Sequence, residues 1–167
     1  MSINTPENLD RTDLRILDTV QRDGRITNRE LAETVSLSPS ACHQRLQRLI
    51  EKGWINSFHG DINVDRLCSP MQCIAAISMA THSPDSFRQL EARVDHMPEV
   101  LEAYTVSGAS DFIIRFACPS MTRYIELTDE LIRECPAISN ISTHVVMRQS
   151  KRFSGFPLRA LNPNFSF

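Results

Sequence analysis

The stretch LSPSACHQRLQRLIEKGWI, residues 37–55, carries the start and stop signals of a helix at its two ends. Ser38 is a good N-cap, and Pro39 suits the first helical position, where a missing N–H is no loss. Gly53 closes the segment as a C-terminal cap. Between these signals Cys42, Leu46, Leu49 and Ile50 recur at helical spacing, so one stripe is buried. The opposite face presents Ser40, Gln44, Gln47 and Arg48, with His43 and Arg45 on its flanks and no carboxylate before Glu51. These groups can bond base edges or phosphates. A merely solvated amphipathic helix would carry a charged outer face as well, so the surroundings have to decide.

Upstream, two further short helices are expected. In LDRTDLRILDTVQRDGR, Asp10 can cap a helix whose stripe is Leu14, Leu17 and Val20, and Asp23-Gly24 ends it. TNRELAETV follows, with Thr27 and Glu30 spaced as a capping box. SLS then separates this helix from the one at 39. Two short helices joined by a tight turn, the second with a polar and basic face, form a helix-turn-helix, whose second helix enters the DNA major groove.

Composition limits how DNA could be held. The chain has 167 residues, 41% of them hydrophobic, and a formal charge of -2, which excludes coating nucleic acid by bulk charge. The positive field is local: residues 37–55 carry a net +2, whereas residues 61–167 hold 10 basic and 12 acidic groups. The five cysteines, Cys42, Cys68, Cys73, Cys118 and Cys135, are odd in number and scattered, and they read as reduced thiols. No metal site or cofactor motif is expected. No signal peptide or membrane span is legible, so a soluble, cytoplasmic protein without membrane partners is expected.

From residue 54 the pattern changes. WINSFHGDINV alternates weakly and is expected to be an extended linker strand. MQCIAAISMAT then reads as a strand and SPDSFRQLEARVDHMP as a helix. VLEAYTVSG and SDFIIRFACP read as two strands across a tight turn, PSMTRYIELTDELIREC as a helix, and AISNISTHVVMRQSK as a last strand. That order, βαββαβ, is the ferredoxin-like split unit. The expected fold is therefore α+β: an N-terminal three-helix, winged-helix-like helix-turn-helix domain at 1–53, a linker at 54–69, a ferredoxin-like domain at 70–152, and a tail at 153–167. Phe112, Ile114 and Phe116 point one way, yet Ile113 and Ala117 face the other, so both faces of the sheet are apolar. The helices can cover one of them. The second face calls for the sheet of a twin subunit, with the phenylalanine-rich tail KRFSGFPLRALNPNFSF as the alternative cover.

The segment LDRTDLRILDTVQRDGRITNRELAETVSLSPSACHQRLQRLIEKGWI is similar, nearly end to end, to the DNA-binding half of the leucine-responsive and asparagine regulator (Lrp/AsnC) family of transcription factors. EAYTVSGASDFIIRF resembles the characteristic loop of that family's ligand domain, and the likeness covers roughly residues 9–152. The resemblance implies an N-terminal helix-turn-helix, an extended linker, and a regulatory domain that dimerises through its sheet. It also implies assembly into octamers or related rings, with amino acids or related metabolites bound between dimers.

Together these features assign double-stranded DNA contacts to Ser38, Ser40, His43, Gln44, Arg45, Gln47 and Arg48. Gln44 and Arg48 are expected at bases and Arg45 at phosphate. An effector site is expected at Val106, Ser107, Gly108, Ala109, Ser110 and Asp111, where the family more often has threonine at the position of Ser107. There, backbone N–H groups would receive a carboxylate and Asp111 an ammonium; a plain hairpin turn is the alternative. Tyr104 and Tyr124 are candidates to line the pocket, each equally readable as packing. The sequence shows no phosphate loop, no clustered His and carboxylate set and no nucleophile elbow. An enzyme reading would need a small amino-acid-metabolising domain with a helix-turn-helix appendage.

Overall fold

The computed structural model describes residues 9–161. The chain divides into two compact units: the chain up to Asp61 together with the segment from Lys151, and Ile62–Ser150.

The first unit contains α1 (Arg11–Arg22), α2 (Asn28–Val35) and α3 (Pro39–Glu51). Each starts at a side-chain cap. Asp10 and Asp13 exchange backbone and side-chain bonds as a capping box, Thr27 and Glu30 do the same for α2, and the Ser38 hydroxyl accepts from the Ala41 N–H with Pro39 following. The turn between α2 and α3 is short because Ser36 adopts a left-handed conformation at φ 60°, while the Leu37 N–H returns to the Ala32 carbonyl at 2.9 Å. At the far end of α3 the Trp54 N–H closes on the Leu49 carbonyl at 2.9 Å, across Gly53. Ile16, Leu31, Cys42 and Leu49 lie at the centre of this unit, and Leu17, Leu46 and Ile55 pack around them. Ile16, outside the expected α1 stripe, is fully buried there.

The second unit runs β1 (Met71–Met79), α4 (Pro84–Asp95), β2 (Val100–Thr105), β3 (Phe112–Cys118), α5 (Met121–Glu134) and β4 (Ile138–Val145). The four strands form one sheet in the order β2-β3-β1-β4, every neighbouring pair antiparallel. This is the expected βαββαβ arrangement. Cys73, Ala75, Ile77 and Met79 of β1, with Phe112, Ile114 and Phe116 of β3, are buried in one cluster with Leu90 of α4 and Leu127 and Leu131 of α5. The alternate residues Ile74, Ala76, Ile113 and Ala117 are only half-buried, so the second sheet face remains partly open in the single chain.

The linker differs from expectation. Residues 54–63 have no ladder pairing, and a 3-10 turn, Val64–Arg66, follows them. Their alternation is real: Trp54, Phe58, Ile62 and Val64 are exposed apolar side chains at even positions. A strand, however, exists only against a second strand, and among the described residues of the single chain this segment has none. The described part of the tail also departs from the alternative of a sheet cover, since it groups with the first unit, ends in α6 (Leu158–Leu161), and bonds to α1 through Gln21. Phe165 and Phe167 lie outside the described residues.

Candidate nucleic-acid interface and effector loop

Because Cys42 and Leu49 anchor α3 in the core, the residues opposite them project outward. Ser40, His43, Gln44 and Gln47 are all exposed, and Ser38 and Ser40 stand at the helix start with their hydroxyls 3.3 Å apart. This cluster has donors and acceptors and no net charge. Two side-chain bonds to main-chain carbonyls tie the three helices together, one between α2 and α3 and one between α1 and α2. The Asn28 amide donates to the Pro39 carbonyl at 2.8 Å, and Arg15 of α1 donates to the Thr34 carbonyl at the end of α2 at 2.5 Å. Asn28 Oδ1 is buried and, among the described residues, accepts from nothing.

The two arginines are placed differently from the rest of the face. Asp13 is only 1% exposed, and its carboxylate accepts from Arg45 Nη1 at 2.9 Å and from Arg48 Nη2 at 2.7 Å. Arg45 also pairs with Asp10. Desolvation works to raise the Asp10 pKa, yet the Asp13 backbone N–H and the Arg45 guanidinium hold it below the ordinary carboxylate value. The same bonds, to Asp10 first and then Asp13, raise the Arg45 pKa, so this side chain is fixed as a cation. Arg45 and Arg48 therefore bind α3 to α1 along one edge of the helix. With side chains 31% and 48% exposed they keep outward N–H groups, which suit a phosphate more than a base edge.

In the second unit the loop between β2 and β3 is closed by the Val106 N–H on the Asp111 carbonyl at 2.8 Å. Gly108 has φ 124°, a conformation that needs glycine, and an added Cβ would meet nothing within 4 Å, so the requirement comes from the backbone and not from crowding. Val106, Ser107, Gly108 and Ala109 are exposed, while Ser110 and Asp111 are half-buried. Among the described residues, the N–H groups of Ser107, Gly108, Ala109 and Ser110 have no protein acceptor. Asp111 is already engaged: Oδ2 accepts from the Met79 N–H at 2.7 Å and Oδ1 lies 3.0 Å from His82 Nε2. Its carboxylate ties the end of β1 to the loop, and the Ser78 hydroxyl adds a bond to the Ala109 carbonyl at 3.3 Å.

The tyrosines do not join this loop. Tyr124 is 3% exposed, edge-on to Phe116 at 5.4 Å, and its hydroxyl meets the Thr143 hydroxyl at 2.7 Å. It is a core residue of α5, which corrects its expected place in a pocket; burial, more than any neighbouring charge, raises its pKa. Tyr104 is exposed on β2, paired with Ile113 on the open sheet face.

A winged helix-turn-helix DNA-binding model matches residues 9–56, and an Lrp/AsnC ligand-binding domain model matches residues 72–156. The chain belongs to the Lrp/AsnC family. It is similar to the leucine-responsive regulatory proteins of Salmonella typhimurium and Escherichia coli, each 34% identical over 146 residues, covering 87% of this chain and 89% of the relative. A transcriptional regulator from Neisseria meningitidis, solved as a complex with L-Met, superposes with a TM-score of 0.83 at 26% identity, covering 93% of this chain and 100% of the other. An AsnC family regulator from Agrobacterium tumefaciens gives 0.82 at 27%, covering 92% and 100%. This Lrp/AsnC protein is thus a transcription regulator with a helix-turn-helix DNA-binding unit and a ligand-binding unit. Two of its acidic residues escaped the sequence reading. Asp10 was visible as a cap but not as a partner of Arg45, and Asp13 showed no signal beyond its place three residues after that cap.

Proposed function

We propose that this Lrp/AsnC regulator binds a roughly palindromic DNA site as a homodimer or higher assembly, such as an octamer, and that a small amino acid at residues 106–111 sets its DNA affinity or assembly. The observation that carries the DNA half is the division of labour on α3. Ser40, His43, Gln44 and Gln47 form an exposed, uncharged, hydrogen-bonding face, while Asp13 holds Arg45 and Arg48 at its edge. Bases are read by the first set, with Ser38 at the helix start, and phosphates are held by the second. Two such helices related by a two-fold axis require half-sites about one helical turn apart, on the order of 34 Å.

The effector half rests on the unoccupied N–H groups around Gly108, which suit a carboxylate. An amino acid is the ligand class in the Neisseria relative's complex. The ammonium group would bond the Ala109 carbonyl or share Asp111 Oδ1 with His82. Assembly rests on the half-open sheet face around Ile74 and Ile113 and on the unpaired linker, each an apolar surface suited to a second copy. The molecule acts by reversible binding in the cytoplasm and turns nothing over.

The test is a mobility-shift titration against an in vitro selected operator. Gln44→Ala is expected to lose about 1–3 kcal/mol of specific binding with little effect on random DNA. Equal binding of both DNAs by the variant and the wild type would remove α3 as the reading helix.

A further inference from the structure

Residues 80–83 lead from the end of β1 to the Ser83 cap of α4, and they bring His82 beside the loop at 106–111. His82 Nε2 lies 3.0 Å from Asp111 Oδ1; a carboxylate can only accept, so this nitrogen carries a proton and donates. The imidazole stands near Phe87 in the first turn of α4, ring centroids 6.1 Å apart, and Phe87 packs in turn on Phe112 at 5.0 Å. Asp111 Oδ2 accepts from the Met79 N–H at 2.7 Å, and the Ala109 carbonyl accepts from the Ser78 hydroxyl at 3.3 Å. The two acceptors an ammonium would use are thus already engaged from within the chain. The donors are not: among the described residues, the N–H groups of Ser107, Gly108, Ala109 and Ser110 have no protein acceptor.

We propose that His82 is a specificity-determining residue of the effector loop: by holding Asp111 Oδ1 it leaves the ligand's carboxylate as the group the loop reads, so that a 2-oxo acid is accepted alongside the amino acid of the same carbon skeleton. A site rejects a ligand strongly when the missing group leaves a buried polar partner unpaired. Here a ligand without an ammonium orphans nothing, because His82 and the Met79 N–H satisfy one oxygen of Asp111 each. A ligand with an ammonium gains only a share of Oδ1. A 2-oxo oxygen in the same place is instead one more acceptor for the open N–H groups, which outnumber the two oxygens of a carboxylate. This inference rests on the amino-acid reading of the loop proposed above and extends its ligand class.

The test is calorimetry on the full-length protein. The probes are the L-amino acid that raises the melting temperature most among the twenty, the 2-oxo acid of the same skeleton, and the primary amide of that amino acid. The oxo acid is expected to bind within about 10-fold of the amino acid, and the amide more than about 10-fold more weakly, since it lacks the charge the N–H groups receive. His82→Ala frees Oδ1 and is expected to shift the ratio of the two Kd values on the order of 10-fold in favour of the amino acid. His82→Gln, whose amide nitrogen can donate to Oδ1 as Nε2 does, is expected to keep the wild-type ratio. A merely structural role for His82 would weaken both ligands alike and leave that ratio unmoved. An oxo acid bound more than 10-fold more weakly than the amino acid by the wild type, an amide bound within 10-fold of it, or an unmoved ratio in His82→Ala each overturns the inference while an amino-acid effector stands. If none of the twenty raises the melting temperature, the effector reading itself fails and this inference fails with it.

Discussion

At the scale of single residues, the helix-turn-helix is organised by a carboxylate that never meets solvent. Asp13 accepts from both arginines of α3 and from the Asp10 N–H, so its removal loosens a cap and two ion pairs at once. Arg45 and Arg48 are partly wet and can rehydrate, which places the cost of Asp13→Ala at about 2–3 kcal/mol, below the value for a fully buried pair. Thermal unfolding should show it, whereas Gln44→Ala on the exposed face should leave the melting temperature within a degree or so while specific DNA binding falls. The same contrast explains what the sequence could and could not reveal. The outward set on α3 follows from helical period alone, but the bond from Asp13 to Arg48 spans 35 positions, and no local pattern encodes it. Tyr124 was legible in principle: it stands three and seven residues before Leu127 and Leu131 on the buried stripe of α5. The cysteines give a second check at this scale. Cys42, Cys73, Cys118 and Cys135 are buried, and desolvation raises each thiol pKa, whereas Cys68 is exposed. Ellman's reagent should label Cys68 rapidly in the native protein and the other four only on unfolding; fast labelling that survives Cys68→Ser would contradict the core assignment.

At the scale of elements, helix starts were the most legible feature, because a cap is a local event. Asp10, Thr27 and Ser38 each bond the backbone three residues on, as their spacing predicts. The sheet of the second unit followed from the βαββαβ order and not from alternation, since β1 and β3 are apolar on both faces; in the structure they nevertheless bury every second residue. The linker alternates without a ladder in the single chain, because alternation reports a two-faced segment whereas a ladder needs a partner backbone. The capping boxes carry a pH dependence whose sign is fixed. The Thr27 hydroxyl and backbone N–H lower the Glu30 pKa, and Asp10 is lowered as described, so both carboxylates are more acidic folded than unfolded. Their contribution is complete above the unfolded values, near pH 4 to 4.5, and disappears as pH falls through the lower folded values. Helical ellipticity should hold from pH 7 to about 5 and the melting temperature should drop below about 4. Glu30→Gln keeps a capping-box partner without a titrating group, so it should flatten part of that drop; an unchanged profile in this variant would assign the acid sensitivity elsewhere.

At the scale of the whole molecule, the DNA-binding and ligand-binding domains match separate stretches of the chain, and on the function proposed above an amino acid at the loop acts on the operator by changing how subunits assemble or how the recognition helices are spaced. Such coupling is typically about 1–3 kcal/mol and is reciprocal, so DNA must alter effector affinity by the same factor. Asp111→Ala is a poor probe of it, because the Met79 N–H would lose its acceptor and β1 its tie to the loop. Gly108→Val is cleaner: an added Cβ meets nothing within 4 Å, but the φ of 124° is denied, which is expected to reshape the N–H groups while leaving the sheet intact. The most direct test is therefore operator affinity by fluorescence anisotropy, with and without each of the 20 amino acids, L-methionine first. The account predicts that at least one of them shifts the wild-type Kd by about 5- to 150-fold, and that Gly108→Val binds the operator as the wild type does without ligand but shows no shift. A wild-type Kd indifferent to every amino acid, or a full response in Gly108→Val, would contradict it.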